Sequence, residues 1–271
     1  MDLELKDVHV LVTGASGGIG LETASEFLRQ GARVTAHYNT KREPLLGLLS
    51  GYGPERVRAI QANLISEKDV ENLYHDASTA YGVVQVAVIN HAVYVAEDMP
   101  LKDMSLEQWK ATLDANLTST FLVARGYLKQ LQYASDSEKA KASLVFVGSS
   151  AAKFGEANHA DYSASKSAMM YGLTRTLKNE IVKIAPKARV NCVAPGWTRT
   201  PMAEESLKDP DVVYKAMATT PLKKVAVPAD VATQIVVISS TKISGHVSGQ
   251  ILMVAGGMEG RLLNFPHDID L

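Results

Sequence analysis

The chain has 271 residues, of which 46% are hydrophobic and 21% are charged, and its formal net charge at pH 7 is -1. This length can bury a substantial core. The near-neutral charge gives no electrostatic reason to expect a nucleic acid or a membrane as partner. No apolar run approaches the roughly 18 residues of a membrane span, and the N-terminus lacks a signal-peptide pattern, so we expect a cytoplasmic protein. The single cysteine, Cys192, excludes an internal disulfide, and its apolar surroundings predict a buried thiol.

Seven short apolar runs rich in β-branched residues predict strands near 8–14, 32–38, 56–62, 84–90, 143–149, 188–194 and 250–256. Their nearly continuous apolar character is typical of strands buried on both faces. Helix-compatible segments alternate with them, near 18–30, 66–81, 105–132, 160–184 and 228–240. This alternation predicts an α/β fold: a doubly wound, Rossmann-type, seven-stranded parallel sheet with helices on both faces.

Two segments interrupt the alternation. The polar stretch 133–143 predicts a surface loop or a frayed helix end, and the segment 197–222, which contains three prolines, predicts a flap over the substrate. We interpret residues 1–271 as one Rossmann-type domain that carries this flap.

The first predicted strand leads directly into "TGASGGIG", residues 13–20, and then into a helix. Gly14, Gly18 and Gly20 are spaced so that the backbone can turn tightly and approach a pyrophosphate. The unpaired N–H groups at the start of the helix favour the same anion. A glycine triplet in this strand–helix context predicts a dinucleotide site.

The end of the second predicted strand indicates which dinucleotide is bound. An acidic residue about 20 positions after the glycines favours NAD, because it accepts hydrogen bonds from the ribose hydroxyls. Here Tyr38 occupies that position, and Asn39, Thr40, Lys41 and Arg42 follow it. Hydroxyl, amide and cationic groups can hold a 2′-phosphate, so the sequence favours NADP(H) over NAD(H). The alternative is that Lys41 and Arg42 only begin a solvated helix.

Tyr162 and Lys166 are four residues apart in "HADYSASKSAMM", so they share one face of a predicted helix. By themselves they are compatible with an ordinary surface pair or with a proton-transfer pair. The choice depends on the motifs elsewhere in the chain.

Six motifs supply this context: "TGASGGIG", "NHA" at 90–92, "LDANLTS" around Asn116, "VFVGSS" at 145–150, "YSASK" at 162–166 and "APGWTRT" at 194–200. In order and spacing they resemble the short-chain dehydrogenase/reductase family. The resemblance continues through "VPADVA" and "SGQILMVAGG" and covers nearly the whole chain.

The resemblance implies catalytic roles for four residues. Tyr162 is expected to act as general acid, and Lys166 to lower the pKa of Tyr162 and to hold the nicotinamide ribose. Ser149, thirteen positions before the tyrosine, is expected to bind the substrate oxygen, with Ser150 as the competing candidate. Asn116 is expected to help hold a water that relays protons to the lysine.

The resemblance therefore implies an NADPH-dependent carbonyl reductase. The alternatives are an NAD-dependent alcohol dehydrogenase and a sensor that binds the nucleotide without chemistry. None of the seven histidines has metal-ligand spacing, so we expect no metal. Besides Tyr162, Lys166 and the residues at 38–42, the implied cofactor contacts are Gly14, Ser16, Gly18, Ile19, Gly20, Asn63, Leu64, Asn90, Ala92, Pro195, Gly196, Thr198 and Thr200. Val93 departs from the family's glycine and leaves the local loop path open.

We expect a small-molecule carbonyl or alcohol substrate that is largely apolar. The candidate pocket residues are Tyr94, Met99, Phe154, Trp197, Met202 and Met217. His91 and His159 are each expected to be a packed or solvated histidine or a substrate contact. In relatives, helices equivalent to 105–132 and 160–184 form a dimer interface and two dimers form a tetramer, so we expect a homo-oligomer.

Overall fold

A computed structural model of the chain describes residues 2–262, 264, 265 and 269. Within these residues, seven parallel strands form one sheet in the order β3-β2-β1-β4-β5-β6-β7. The predicted doubly wound parallel sheet is confirmed. The strands are β1 (His9–Val12), β2 (Arg33–Tyr38), β3 (Val57–Gln61), β4 (Val86–Ile89), β5 (Ser143–Val147), β6 (Arg189–Pro195) and β7 (Ile251–Val254).

The helices of the described residues cover both faces of the sheet. They are α1 (Gly18–Arg29), α2 (Leu46–Tyr52), α3 (Glu67–Tyr81), α4 (Leu106–Leu113), α5 (Ser119–Leu131), α6 (Asp136–Lys139), α7 (Ser150–Phe154), α8 (Ala160–Ser167), α9 (Thr174–Glu180), α10 (Pro210–Ala218), α11 (Pro228–Ser239) and α12 (Thr241–Ser244). None of them is long and apolar enough to cross a membrane.

Strand β1 is an interior strand of the sheet, and its four residues are buried. Val10 pairs with Val34 of β2 on one side and with Val86 of β4 on the other. The sheet thus separates two apolar cores. One contains Phe27 of α1, and the other contains Tyr127 of α5.

Both long predicted helices contain a π-helical turn, at Asp114–Thr118 and at Ala168–Leu173. In the first, the Thr120 hydroxyl donates a hydrogen bond to the Asn116 carbonyl at 2.7 Å, and the Ser119 hydroxyl donates to the Ala115 carbonyl at 2.6 Å. Hydroxyls that compete for helix carbonyls accompany such distortions. This turn lies directly beside the candidate site.

The two segments that interrupt the predicted alternation contain short helices. Helix α6 lies within 133–143 and begins with a capping box, in which the Ser135 hydroxyl and the Glu138 carboxylate satisfy backbone N–H groups reciprocally. Helix α10 lies within 197–222; Asp209 caps it and Pro210 begins it.

A buried cation joins β6 to the end of α11. The Arg189 guanidinium donates hydrogen bonds to the carbonyls of Ile238 at 2.6 Å and Ser239 at 2.8 Å. Burial lowers the pKa of Arg189 to about 10, and the guanidinium lies at the negative end of the helix dipole. These bonds satisfy carbonyls that the helix itself leaves unpaired.

We expect Arg189→Met to lower the free energy of unfolding in urea by about 2 kcal/mol, because two buried carbonyls lose a charged donor. Arg175→Met is the control: Arg175 is exposed, and its guanidinium stacks on Tyr171. It should change stability by less than about 0.5 kcal/mol. Equal losses of unfolding free energy in the two variants would contradict the proposed stabilisation of the C-terminal end of α11 by Arg189.

Candidate active site

A large cavity opens at the carboxyl ends of the parallel strands, where open α/β sheets bind their ligands. Its volume is about 1390 Å³. The glycine loop after β1, the loops after β2 to β6 and the segment around α10 line it. This position at the edge of the sheet brings together residues that are distant in the sequence.

The glycines of the loop after β1 are required because side chains there would collide with neighbouring segments. Gly14 has φ +61°, and a Cβ there would lie 2.9 Å from the Cα of His91. A Cβ on Gly18 would lie 2.9 Å from the Thr200 side chain. The Cβ of a residue at Gly20 would lie 2.2 Å from the Gly14 carbonyl oxygen, and Gly20 is outside the cavity wall. Gly14 and Gly18 line the cavity, so the loop presents backbone to it.

A buried histidine of β2 holds this loop in place. The Gly14 N–H donates to His37 Nδ1 at 3.0 Å, and His37 Nε2 lies 3.0 Å from the Ala62 carbonyl oxygen. This pairing makes Nδ1 the acceptor and Nε2 the donor. Burial lowers the pKa of His37 to about 4, so the ring is neutral at physiological pH. No motif marked His37; its role follows from register, which places it beside the loop.

The predicted ribose contacts separate into two groups. Asn39, Thr40 and Lys41 line the cavity, whereas Tyr38 packs against the core on the α1 side. Arg42 is exposed and lies outside the cavity lining. One lysine, one hydroxyl and one amide therefore remain at this end to meet a phosphate.

The predicted catalytic residues converge at the other end of the cavity. Ser149 follows β5 and caps α7, where its hydroxyl accepts a hydrogen bond from the Ala151 N–H at 3.1 Å. The same side chain lies near enough to the phenol of Tyr162 to lower its pKa. Lys166 is 2% exposed and its ammonium donates to the Val147 carbonyl at 2.8 Å. Its Nζ lies 5.9 Å from the centre of the Tyr162 ring.

Burial sets the protonation of this pair. It raises the pKa of Tyr162 to about 12, against the opposing effect of the Ser149 side chain. It lowers the pKa of Lys166 to about 8. The sequence predicted a tyrosine pKa lowered by the lysine, whereas in the protein alone burial raises it. Tyr162 is therefore protonated at neutral pH, as a proton donor must be.

Asn116 lies in the first π-helical turn and is fully buried outside the cavity lining. Its amide oxygen accepts from the Val93 N–H at 2.7 Å, and its amide nitrogen donates to the Val93 carbonyl at 2.9 Å. This two-point contact determines the path of the loop after β4. Val93 has no positive φ, so the position does not require the family's glycine.

Asn90 fastens the loop after β4 to the glycine loop. Its side-chain amide donates to the carbonyls of Thr13 at 3.0 Å and Gly14 at 3.2 Å. The other predicted cofactor residues lie on the cavity wall: Ser16, Ile19, Asn63, Leu64, Ala92, Pro195, Gly196, Thr198 and Thr200.

The two histidines near the site differ in environment. His91 Nδ1 lies 2.8 Å from the Thr13 hydroxyl and Nε2 lies 2.8 Å from the Ser119 hydroxyl, and burial lowers its pKa well below the ordinary value. His159 is also buried; its ring stacks on Tyr94 and its Nε2 lies 3.3 Å from an oxygen of Asp98. Both line the cavity. Among the described residues no group of three or more His, Cys, Asp or Glu side chains could hold a metal.

The substrate end is less apolar than predicted. Tyr94, Phe154, Trp197 and Met202 line it, whereas Met217 packs in a small cluster with Ala218. Met99 is outside the lining. Sequence reasoning missed the acidic residues there: Asp98, Glu156, Glu205, Asp209 and Glu259. They lie in loops whose course the sequence alone did not give.

Comparisons with known proteins agree with this geometry. A family model described as enoyl-(acyl carrier protein) reductase matches residues 14–259. A 3-oxoacyl-[acyl-carrier-protein] reductase from Synechocystis sp. is 30% identical over 92% of this chain and 95% of its own. A 3beta-hydroxysteroid dehydrogenase 1 from Eggerthella lenta is 31% identical over 94% of this chain and 95% of its own.

A solved structure shares the fold. The crystal structure of "Short-chain dehydrogenase/reductase SDR:Glucose/ribitol dehydrogenase" from Brucella melitensis superposes with a TM-score of 0.83 at 33% identity. It covers 95% of this chain and 98% of the other. Fold and site thus define an oxidoreductase with a dinucleotide-type cavity. The chain belongs to the short-chain dehydrogenase/reductase family, as its motifs predicted.

We expect His37→Leu to weaken dinucleotide binding about tenfold, because the Gly14 N–H loses its hydrogen-bond acceptor and the glycine loop is no longer held to β2. Calorimetric titration with NADPH gives the dissociation constant. His9→Leu is the matched control, since His9 is equally buried and also has a pKa of about 4. Its ring contacts Gly82 and Thr35, outside the cavity. Weakening by both variants alike would indicate a general loss of stability.

Proposed function

We propose that the protein is an NADPH-dependent carbonyl reductase. The observation that carries this proposal is that Ser149, Tyr162 and the buried ammonium of Lys166 line the same cavity, onto which the glycine loop opens. An oxidoreductase for ketones or aldehydes needs a proton donor, a group that binds the carbonyl oxygen and a dinucleotide site. The cavity has side chains suited to each.

The residues that would hold the dinucleotide are the backbone of the glycine loop, the side chains at 39–41, Lys166 and the stretch at 195–198. When bound, the nicotinamide supplies the hydride that reduces the carbonyl carbon. Tyr162, protonated because of its raised pKa, donates its phenolic proton to the carbonyl oxygen. The Ser149 hydroxyl orients that oxygen and stabilises its developing charge. The Lys166 ammonium then stabilises the tyrosinate, and Asn116 fixes the adjoining loop.

The preference for NADP(H) rests on the ribose end of the cavity. Lys41 offers a cation, and the neighbouring Asn39 and Thr40 offer hydrogen bonds to a 2′-phosphate. An acidic residue at the end of the second strand would favour NAD, and Tyr38 occupies that position here. NAD(H) with alcohol oxidation is the alternative. A nucleotide sensor is less well supported, because all four polar residues of the catalytic set are present.

We further propose a homo-oligomer, a dimer or a tetramer, built on the helices after β4 and β5. Phe121 on α5 is 46% exposed, and a Cβ on Gly172 beside α9 would meet open space. An apolar side chain and an open glycine on these helices suit a helix-to-helix contact. The cytoplasmic location stays a prediction from the sequence.

We expect Tyr162→Phe to reduce the rate of ketone-dependent NADPH oxidation by about 10³-fold, since the proton donor is lost. Absorbance at the NADPH band measures the rate over a panel of ketones and aldehydes. Calorimetry serves as control, because the dissociation constant for NADPH should stay within about twofold. Undiminished turnover would refute the role of Tyr162, and a wild-type protein that reduces no carbonyl would refute the proposed activity.

Lys41→Ala should weaken NADPH binding about tenfold and leave NADH binding unchanged, because only NADPH carries the 2′-phosphate. Arg42→Ala provides the matched control: it removes the neighbouring cation, which lies outside the cavity lining. Its effect on NADPH should be below threefold. Equal dissociation constants for both nucleotides in the wild type would favour the NAD alternative.

The rate of carbonyl reduction should fall as the pH rises above about 8. Burial lowers the pKa of Lys166 to about 8, so the ammonium is present below this pH and lost above it. Tyr162 keeps its proton up to about pH 12 and does not cause the fall. A profile of kcat/KM measures this, and a flat profile from pH 7 to 10 would contradict it.

A further inference from the structure

Two loops at the mouth of the substrate end are tied together by one carboxylate. Asp98, in the loop after β4, accepts a hydrogen bond from the Asn158 side chain at 2.9 Å, and its other oxygen lies 3.3 Å from His159 Nε2. The backbone N–H of Met99 donates to the Asn158 carbonyl at 3.1 Å. Asn158 has φ +69°, a left-handed conformation that asparagine tolerates. Both loops therefore present their side chains to the cavity in a defined arrangement.

Tyr94 links this mouth to the proposed proton donor. Its ring lies 4.6 Å from the ring of His159 and 5.1 Å from the ring of Tyr162, nearly perpendicular to the latter. Its hydroxyl donates to Glu156 Oε1 at 3.0 Å. The Glu156 carboxylate thus lies one aromatic side chain away from the phenol of Tyr162.

The charge of Glu156 is not neutralised by an ion pair. Of the other acids around the cavity, Glu205 lies 2.7 Å from Lys208, and Glu259 lies 2.7 Å from Arg261. Within the described part of the chain, no lysine or arginine forms an ion pair with Glu156. The titratable groups that face it are Tyr94, His159 and Asp98, and burial raises its pKa. A half-buried carboxylate in this position is a strong acceptor for a donor supplied by a ligand.

We propose that Glu156 is a specificity-determining residue, which accepts a hydrogen bond from a hydroxyl or ammonium group near the substrate carbonyl and disfavours anionic substrates. This inference rests on the proposed carbonyl reduction and adds the chemical class of its substrate. The class comprises hydroxy ketones and ammonium-bearing amino ketones, as opposed to keto acids whose carboxylate lies close to the carbonyl. The Glu156 carboxylate repels such an anionic group in the cavity.

The test compares kcat/KM for three carbonyl compounds: 1-hydroxy-2-butanone, 3-pentanone and acetoacetate. The first two have the same shape, with a hydroxyl replaced by a methyl. The wild type should prefer the hydroxy ketone to 3-pentanone at least tenfold, because 3-pentanone has no donor for the acceptor positions that Tyr94 leaves open on the carboxylate. Glu156→Gln should reduce that preference about fivefold. It should also raise kcat/KM for acetoacetate relative to 3-pentanone at least threefold.

Two further variants distinguish recognition by Glu156 from general effects. Glu205→Gln removes a paired acid from the same cavity and should leave all ratios within twofold. Tyr94→Phe removes the hydrogen bond to Glu156 but leaves the carboxylate, so the preference for the hydroxy ketone should persist. If Tyr94→Phe instead reproduces Glu156→Gln, Glu156 acts only by positioning Tyr94, and the proposal is wrong.

Binding without turnover gives an independent readout. Saturation-transfer NMR on the protein without nucleotide should detect 1-hydroxy-2-butanone with the wild type and a weaker signal with Glu156→Gln. Turnover of ketones with ratios unchanged in Glu156→Gln would overturn this inference and leave the proposed function intact. If the wild type reduces no carbonyl at all, the proposed function fails and this inference fails with it.

Discussion

The pairing of β1 with β2 on one side and β4 on the other governs the rest of the molecule. Because all strands are parallel, their carboxyl ends meet at one edge of the sheet. From β1, the strands β2 and β3 follow on one side and the strands β4 to β7 on the other. This reversal opens the cavity between the loops after β1 and β4. Gly14 on the first loop and Val93 on the second both line this cavity. The proposed catalytic residues Ser149, Tyr162 and Lys166 reach it from the end of β5 and from α8.

The site depends on polar groups that the fold buries and satisfies. The buried Lys166 ammonium loses its hydration and donates a hydrogen bond to the Val147 carbonyl instead. The side-chain amide of Asn116 accepts from the Val93 N–H and donates to the Val93 carbonyl. His37 joins Gly14 to the strand beside it. A buried polar group without a partner costs free energy, so each pairing restricts the loops to one arrangement. The same desolvation that costs stability at Lys166 also lowers its pKa toward neutrality.

The cavity has two chemically distinct ends. The end lined by the glycine loop exposes backbone and Lys41, which suits phosphates. The substrate end combines aromatic side chains with carboxylates, and Glu156 has no ion-pair partner among the described residues. The relatives of this chain carry names that refer to carrier-bound acyl groups and to a steroid.

The sequence alone determined the sheet, the glycine loop and the spacing of Tyr162 and Lys166, because these follow from local periodicity and short motifs. The tertiary structure decided what depends on contacts between distant segments. It showed His37 under the glycine loop and Arg42 outside the cavity, and it showed that burial raises the pKa of Tyr162. It also placed Glu156 against Tyr94, 62 residues away in the chain. Desolvation and long-range hydrogen bonding have no periodicity in the sequence, so only the folded chain reveals them.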